Sequence, residues 1–99
     1  MDAKTKFKAA AIFMRAAKYI EKYGWQEKGM GKHGFPRCSM GALASAHQAK
    51  TWDKKLSSLM YKNLYQELNG LTLTEFNTRY KNGRKVADIF RLVAIKLSG

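Results

Sequence analysis

Cysteine, proline and acidic side chains are all scarce in this chain of ninety-nine residues: one cysteine, one proline and seven Asp and Glu. A lone Cys38 excludes an intramolecular disulfide framework and fits a reducing compartment. No apolar run approaches the ~20 residues that span a bilayer, and even the stretch 9–14 is flanked by Lys8 and Arg15. The opening Met-Asp-Ala-Lys-Thr-Lys lacks the apolar core of a secretory signal. These absences give the expectation of a cytoplasmic protein without a membrane segment. The length leaves room for one core, so residues 1–99 are expected to form a single helical domain, and two-domain catalytic architectures are excluded.

What is present is a foldable composition with an unbalanced charge. Hydrophobic residues make up 45% and aromatics 12%, enough for a packed interior. Nineteen Lys and Arg against seven Asp and Glu leave a net charge of +12, which points to a polyanionic or acidic partner.

Residues 4–23 are strong helix formers without Gly or Pro, and Gly24 supplies a C-terminal stop. On a helical wheel Lys4, Lys8, Ala11, Arg15, Lys18 and Lys22 fall within roughly 40° of one line. Phe7, Ala10, Phe13, Met14, Ala17 and Ile20 lie opposite, so this helix is expected to be the central packing element with one basic stripe in water. Residues 24–37 hold four glycines and Pro36, and read as a long loop pinned by Trp25 and Phe35. Residues 38–49 read as a second helix with Ser39 as its cap, and residues 52–69 as a third that Thr51 caps and Asp53 favours. The segment 71–74 alternates in polarity and reads as a loop with a short extended piece, followed by one helical turn over 74–78. Tyr80-Lys81-Asn82-Gly83 is a turn signal, and a last helix spans 84–97 with Val86, Ile89, Phe90, Val93, Ala94 and Leu97 on its apolar face. The expected fold is all-α, a compact bundle of about four helices.

Three pieces of the chain carry a family likeness: Arg15-Ala-Ala-Lys-Tyr-Ile-Glu-Lys-Tyr-Gly-Trp25, Pro36-Arg-Cys-Ser-Met-Gly-Ala-Leu-Ala-Ser-Ala46, and Phe76-Asn77 followed by Arg84-Lys-Val-Ala-Asp-Ile-Phe-Arg-Leu-Val-Ala94. Over residues 9–97 the chain resembles a family of small uncharacterised all-helical proteins of bacteria and their phages. The resemblance implies a first helix ending in Gly-Trp, a Cys-x-x-Gly-Ala-Leu helix start, an Asn-containing turn before the last helix, and a bacterial host cell. The chain departs from that family at Thr78, where Trp-Asn-Asp would put an acid, and at Gln26, where a second cysteine is common. No established activity comes with the resemblance.

Catalytic and metal signatures are weak. Cys38 at a helix start has a dipole that favours the thiolate, but a nucleophile needs a base within reach. His47 lies nine residues along the same helix, and His33 reaches only if the loop folds back, so Cys38 reads as a small packed residue and the chain as no enzyme. His33, Cys38 and His47 are one ligand short of a structural zinc site, so no metal and no cofactor are expected. The string 29–34 spells G-x-G-x-x-G, but no strand precedes it and no βαβ unit follows.

The basic positions carry more. Lys4, Lys8, Arg15, Lys18 and Lys22 form one array; Arg79, Tyr80, Lys81, Arg84 and Lys85 form a second that Arg91 extends, with Glu21 and Asp88 the only nearby acids. Such arrays bind phosphate backbones through counterion release, and Tyr80 is the candidate for stacking on a base. The plainer reading of a single stripe is a solvated face. A helix-turn-helix through 49–52 fits loosely, since helix three is rich in Leu, Met and Tyr and offers Lys54, Lys55 and Lys62 to phosphates more than to bases. The expected partner is nucleic acid or an acidic protein surface. The alternative is a module that modulates a bacterial host protein through Trp25, Phe35, Tyr61 and Tyr65.

Overall fold

A computed structural model describes residues 3–26, 31–32, 34–47 and 54–99, and for Met40, Ala44 and His47 the backbone alone. The fold is all-α, and the described residues form five helices: α1 (Ala3–Tyr23), α2 (Ser39–His47), α3 (Lys54–Glu67), α4 (Leu73–Tyr80) and α5 (Gly83–Ser98). Among the described residues there is no strand, only an isolated parallel bridge between Trp25 and Arg37. Residues 48–53, including Thr51, Trp52 and Asp53, lie outside the described residues, as do the 49–52 joint of the helix-turn-helix reading and half of the glycine string 29–34.

Helix α1 is the hub, packing on α5 most extensively and on α2 and α3 as well. Its buried side consists of Ala9, Ala10, Ile12, Phe13, Ala16, Ala17, Tyr19 and Ile20. Four alanines there let neighbouring helices approach closely, while Phe13 and Phe90 meet with ring centroids 5.5 Å apart. Phe13 against Phe90 and Ile20 against Gly83 show that α1 and α5 run antiparallel. The Lys96–Glu67 ion pair, 2.7 Å long, ties the far end of α5 to the end of α3.

Helix α4 corrects the expected loop at 71–74. Thr72 caps α4, its hydroxyl accepting from the Glu75 N–H at 3.0 Å while the Glu75 carboxylate accepts from the Thr72 N–H at 3.1 Å. This reciprocal capping box turns the alternating segment into a helix start. Hydrogen bonding to its carboxylate from the Thr72 backbone N–H, and then from the Thr72 hydroxyl, holds the Glu75 carboxyl below its ordinary pKa, Arg79 adding to the effect. Helix α4 ends at Lys81, which is left-handed (φ 46), and Asn82 then caps α5 by accepting from the N–H groups of Arg84 and Lys85.

Two further expectations are corrected. Phe7 is 58% exposed and not part of the buried side of α1, because it lies more than a quarter-turn from that side's centre. Phe35 is 63% exposed and does not pin the loop. The loop is held by its backbone instead: the Tyr19 hydroxyl accepts from the Gly34 N–H at 2.9 Å and donates to the Phe35 carbonyl at 2.8 Å.

Gly83 reads in the sequence as turn punctuation, but the structure gives it another reason. A Cβ built there would lie 2.6 Å from Trp25 Cβ and 3.1 Å from Trp25 Cγ. Neither atom is the free end of a flexible chain, so Trp25 or α5 would have to move. Gly83→Ala is expected to lower stability by about 1–3 kcal/mol despite alanine's better helix propensity, read as a fall in the urea midpoint. An unchanged midpoint would show that Trp25 does not need this contact.

Candidate nucleic-acid interface

The antiparallel pairing sets where the cations go. The C-terminal end of α1 lies beside the start of α5, and the α4–α5 turn leads straight into that start. Lys18 and Lys22 of α1 therefore share one end of the bundle with Arg79, Lys81, Arg84 and Lys85, all of them exposed. Lys4 and Lys8, also exposed, are carried toward the opposite end with Lys96. The helix-one stripe is thus divided, and only its C-terminal half joins the second array.

Arg15 and Arg91, two of the expected contact residues, are hydrogen-bonded or ion-paired inside the protein, and Lys22 stands over the Tyr23 ring. Arg15 Nε donates to the Ala46 carbonyl at 3.0 Å, satisfying a carbonyl near the end of α2 where a cation also meets the negative end of the helix dipole. Arg91 pairs with Glu21 across to α1 and with Asp88 on its own helix at 3.4 Å. Tyr80 is partly covered: its ring packs on Phe76 at 4.7 Å between centroids, and Lys85 Nζ stands 4.5 Å over it. A base stacking from the Lys85 side would have to displace that ammonium.

The acids explain why the surface remains so positive. Every carboxylate among the described residues has an intramolecular partner: Glu21 and Asp88 with Arg91, Glu67 with Lys96, and Glu75 in the capping box. Among the described residues none pairs with Lys18 or Lys22, and the cations of this end of the bundle are exposed.

Beneath this end runs a buried polar chain that no sequence pattern announced. Trp25 Nε1 donates to Ser39 Oγ at 3.3 Å, and Ser39 Oγ donates to Asn77 Oδ1. Ser39 is 0% exposed and Asn77 5%. Ser39 thus spends its hydroxyl joining three elements and does not cap α2 with it; Cys38 occupies the position before the helix, its carbonyl accepting from the Ala42 N–H at 2.9 Å. The chain links Trp25, two residues after α1, with the start of α2 and the middle of α4, and so orients Trp25 toward Gly83.

Cys38 is buried at that helix start. A pairing of Cys38 with His33 falls outside the described residues, as does the side chain of His47. Among the described residues no three of His, Cys, Asp and Glu gather as a metal site requires, and no helix is long and apolar enough to cross a membrane.

The four aromatic positions of the alternative reading are not brought together. Trp25 lines a cleft with α5, whereas Tyr61 and Tyr65 line an apolar pocket of about 230 Å³ with Leu64, Leu68, Leu71 and Leu73. Burial there raises the Tyr61 hydroxyl above its ordinary pKa, and Tyr65 raises it further.

A family of unknown function (DUF6197) matches residues 4–95. The chain belongs to that family. No curated protein and no solved structure matches the chain. The matched span takes in all five helices up to the last turn of α5, and with them the Trp25–Ser39–Asn77 chain.

Ser39→Ala would leave the Trp25 indole N–H and the Asn77 carboxamide oxygen buried without this partner. It is expected to cost about 1–3 kcal/mol and to alter Trp25 emission in the folded protein. A variant equal to the parent in both would show that the polar chain is dispensable.

Proposed function

We propose that this protein acts by binding and not by catalysis, holding the phosphate backbone of a nucleic acid at the end of the bundle where α1 finishes and α5 begins. The observation that carries the reading is the convergence there of Lys18, Lys22, Arg79, Lys81, Arg84 and Lys85, all exposed, while the described carboxylates are engaged within the protein. Phosphates bound by such groups release condensed counterions, which gives affinity without sequence readout. Backbone contact is favoured over base reading in a groove because three of the six exposed positions of α3, Lys54, Lys55 and Lys62, suit phosphates, and only Ser58 and Gln66 there could read a base edge. The resemblance adds the setting, an accessory protein of a phage or mobile element acting in the cytoplasm of a bacterial host.

A second reading has one observation in its favour. The apolar pocket at Tyr61 and Tyr65 has the character of an anchor site for a protein partner, in which case the charge would only steer encounter with a host factor. Salt separates the two, since counterion release falls steeply with ionic strength and an aromatic-anchored interface loses mainly association rate.

The combined variant Arg79→Ala, Lys81→Ala, Arg84→Ala, Lys85→Ala is expected to weaken binding of a single-stranded oligonucleotide. Its plot of log affinity against log salt should flatten by roughly three units, at about 0.7 per neutralised phosphate. Unchanged affinity and slope would remove the interface from this end of the molecule.

A further inference from the structure

A cleft of about 570 Å³ opens between the end of α1 and the first turns of α5. Ile20, Gly83 and Ala87 form its apolar part, Trp25 stands at one side, and Glu21, Arg84, Asp88 and Arg91 supply its charged groups. Its size is that of a small-molecule site. Gly83 lets Trp25 sit close against α5 at the side of this cleft, since a Cβ there would meet Trp25.

The lining is unusual in its mixture. A site for a simple anion would not carry two carboxylates, and a site for an apolar anchor would not carry four charged groups. An indole beside a guanidinium and two carboxylates suits a ligand with an aromatic face, N–H donors and an anionic group together. A nucleotide has all three: a base that stacks on an aromatic ring, base N–H groups that a carboxylate accepts, and a phosphate that arginine binds in a fork. Arg91 holds Glu21 and Asp88 on the two sides of the cleft, and each carboxylate has lone pairs left for a ligand. Arg84 is exposed and belongs both to the cleft and to the basic end of the bundle, so a strand lying along that end passes the cleft mouth.

We propose that this cleft receives one unpaired nucleotide of the bound strand, its base against Trp25, its N–H groups on Glu21 or Asp88 and its phosphate on Arg84. The inference rests on the nucleic-acid reading above for its source of ligand, and it assigns to Trp25 the stacking role that Lys85 and Phe76 obstruct at Tyr80.

The test uses the full chain carrying Trp52→Phe, so that Trp25 is the only emitter, titrated with GMP, AMP, inorganic phosphate, polyphosphate and a single-stranded oligonucleotide. GMP and AMP are expected to quench Trp25 emission to saturation while inorganic phosphate does not. Glu21→Gln and Asp88→Asn should each weaken the mononucleotide several-fold and leave polyphosphate binding unchanged. If Trp52→Phe does not fold, the amide resonances of Gly83 and Ala87 in the unsubstituted chain report the same occupancy. An oligonucleotide that binds with a steep salt dependence while mononucleotides leave Trp25, Gly83 and Ala87 unmoved overturns the cleft and keeps the backbone reading. Mononucleotide binding without any oligonucleotide binding keeps the cleft and overturns the backbone reading, and silence in every titration overturns both.

Discussion

The seating of α1 against α5 is the constraint from which the rest of this structure follows. Alanines at positions 9, 10, 16 and 17 leave the surface of α1 shallow, and Phe13 and Phe90 fill the middle of the contact. With both helices buried along their apolar sides, the chain has one antiparallel register, and that register delivers the end of α1 to the start of α5. Trp25 then fits only because residue 83 has no side chain. The Ser39 and Asn77 partners fix its indole N–H from the other side. A packing decision at the core is in this way transmitted to the surface as the position of the cleft and of the basic end.

Charge placement follows the same logic. The chain has few acids, and the folded state uses each described one locally: across the α1–α5 seam, between α5 and α3, and at the cap of α4. Ion pairs of this kind contribute little to stability when exposed, and among the described residues none of them engages Lys18, Lys22, Arg84 or Lys85. Six of the nineteen cations, Lys18, Lys22, Arg79, Lys81, Arg84 and Lys85, gather at this end of the bundle, while Lys4, Lys6, Lys8, Lys54, Lys55, Lys62 and Lys96 are exposed elsewhere.

The elements most legible in the sequence are those set by local chemistry. The basic stripe and apolar side of α1, the stop at Gly24, the turn at Lys81-Asn82 and the apolar side of α5 follow from periodicity and capping. Of helix α4 the sequence shows one turn over 74–78, and although Thr72-x-x-Glu75 is a capping-box pattern, the alternation of Leu71 to Thr74 reads as extended chain. What depends on tertiary contact was not legible. Tyr19 as the loop's anchor, Ser39 as a link to Asn77, Arg15 on the end of α2, and Gly83 as the seat of Trp25 all need a partner distant in sequence. The candidate interface was therefore read as two arrays of cations, and only the register of α1 on α5 shows which halves adjoin.

The most direct test of this account is the footprint of a single-stranded oligonucleotide on the backbone amides of the folded protein, followed by NMR at near-physiological salt. The account requires shifts concentrated at Lys18, Lys22 and residues 79–91, with Lys4, Lys8 and Lys96 unaffected. Shifts centred on Lys4 and Lys8, or on the Tyr61 and Tyr65 pocket, would contradict it.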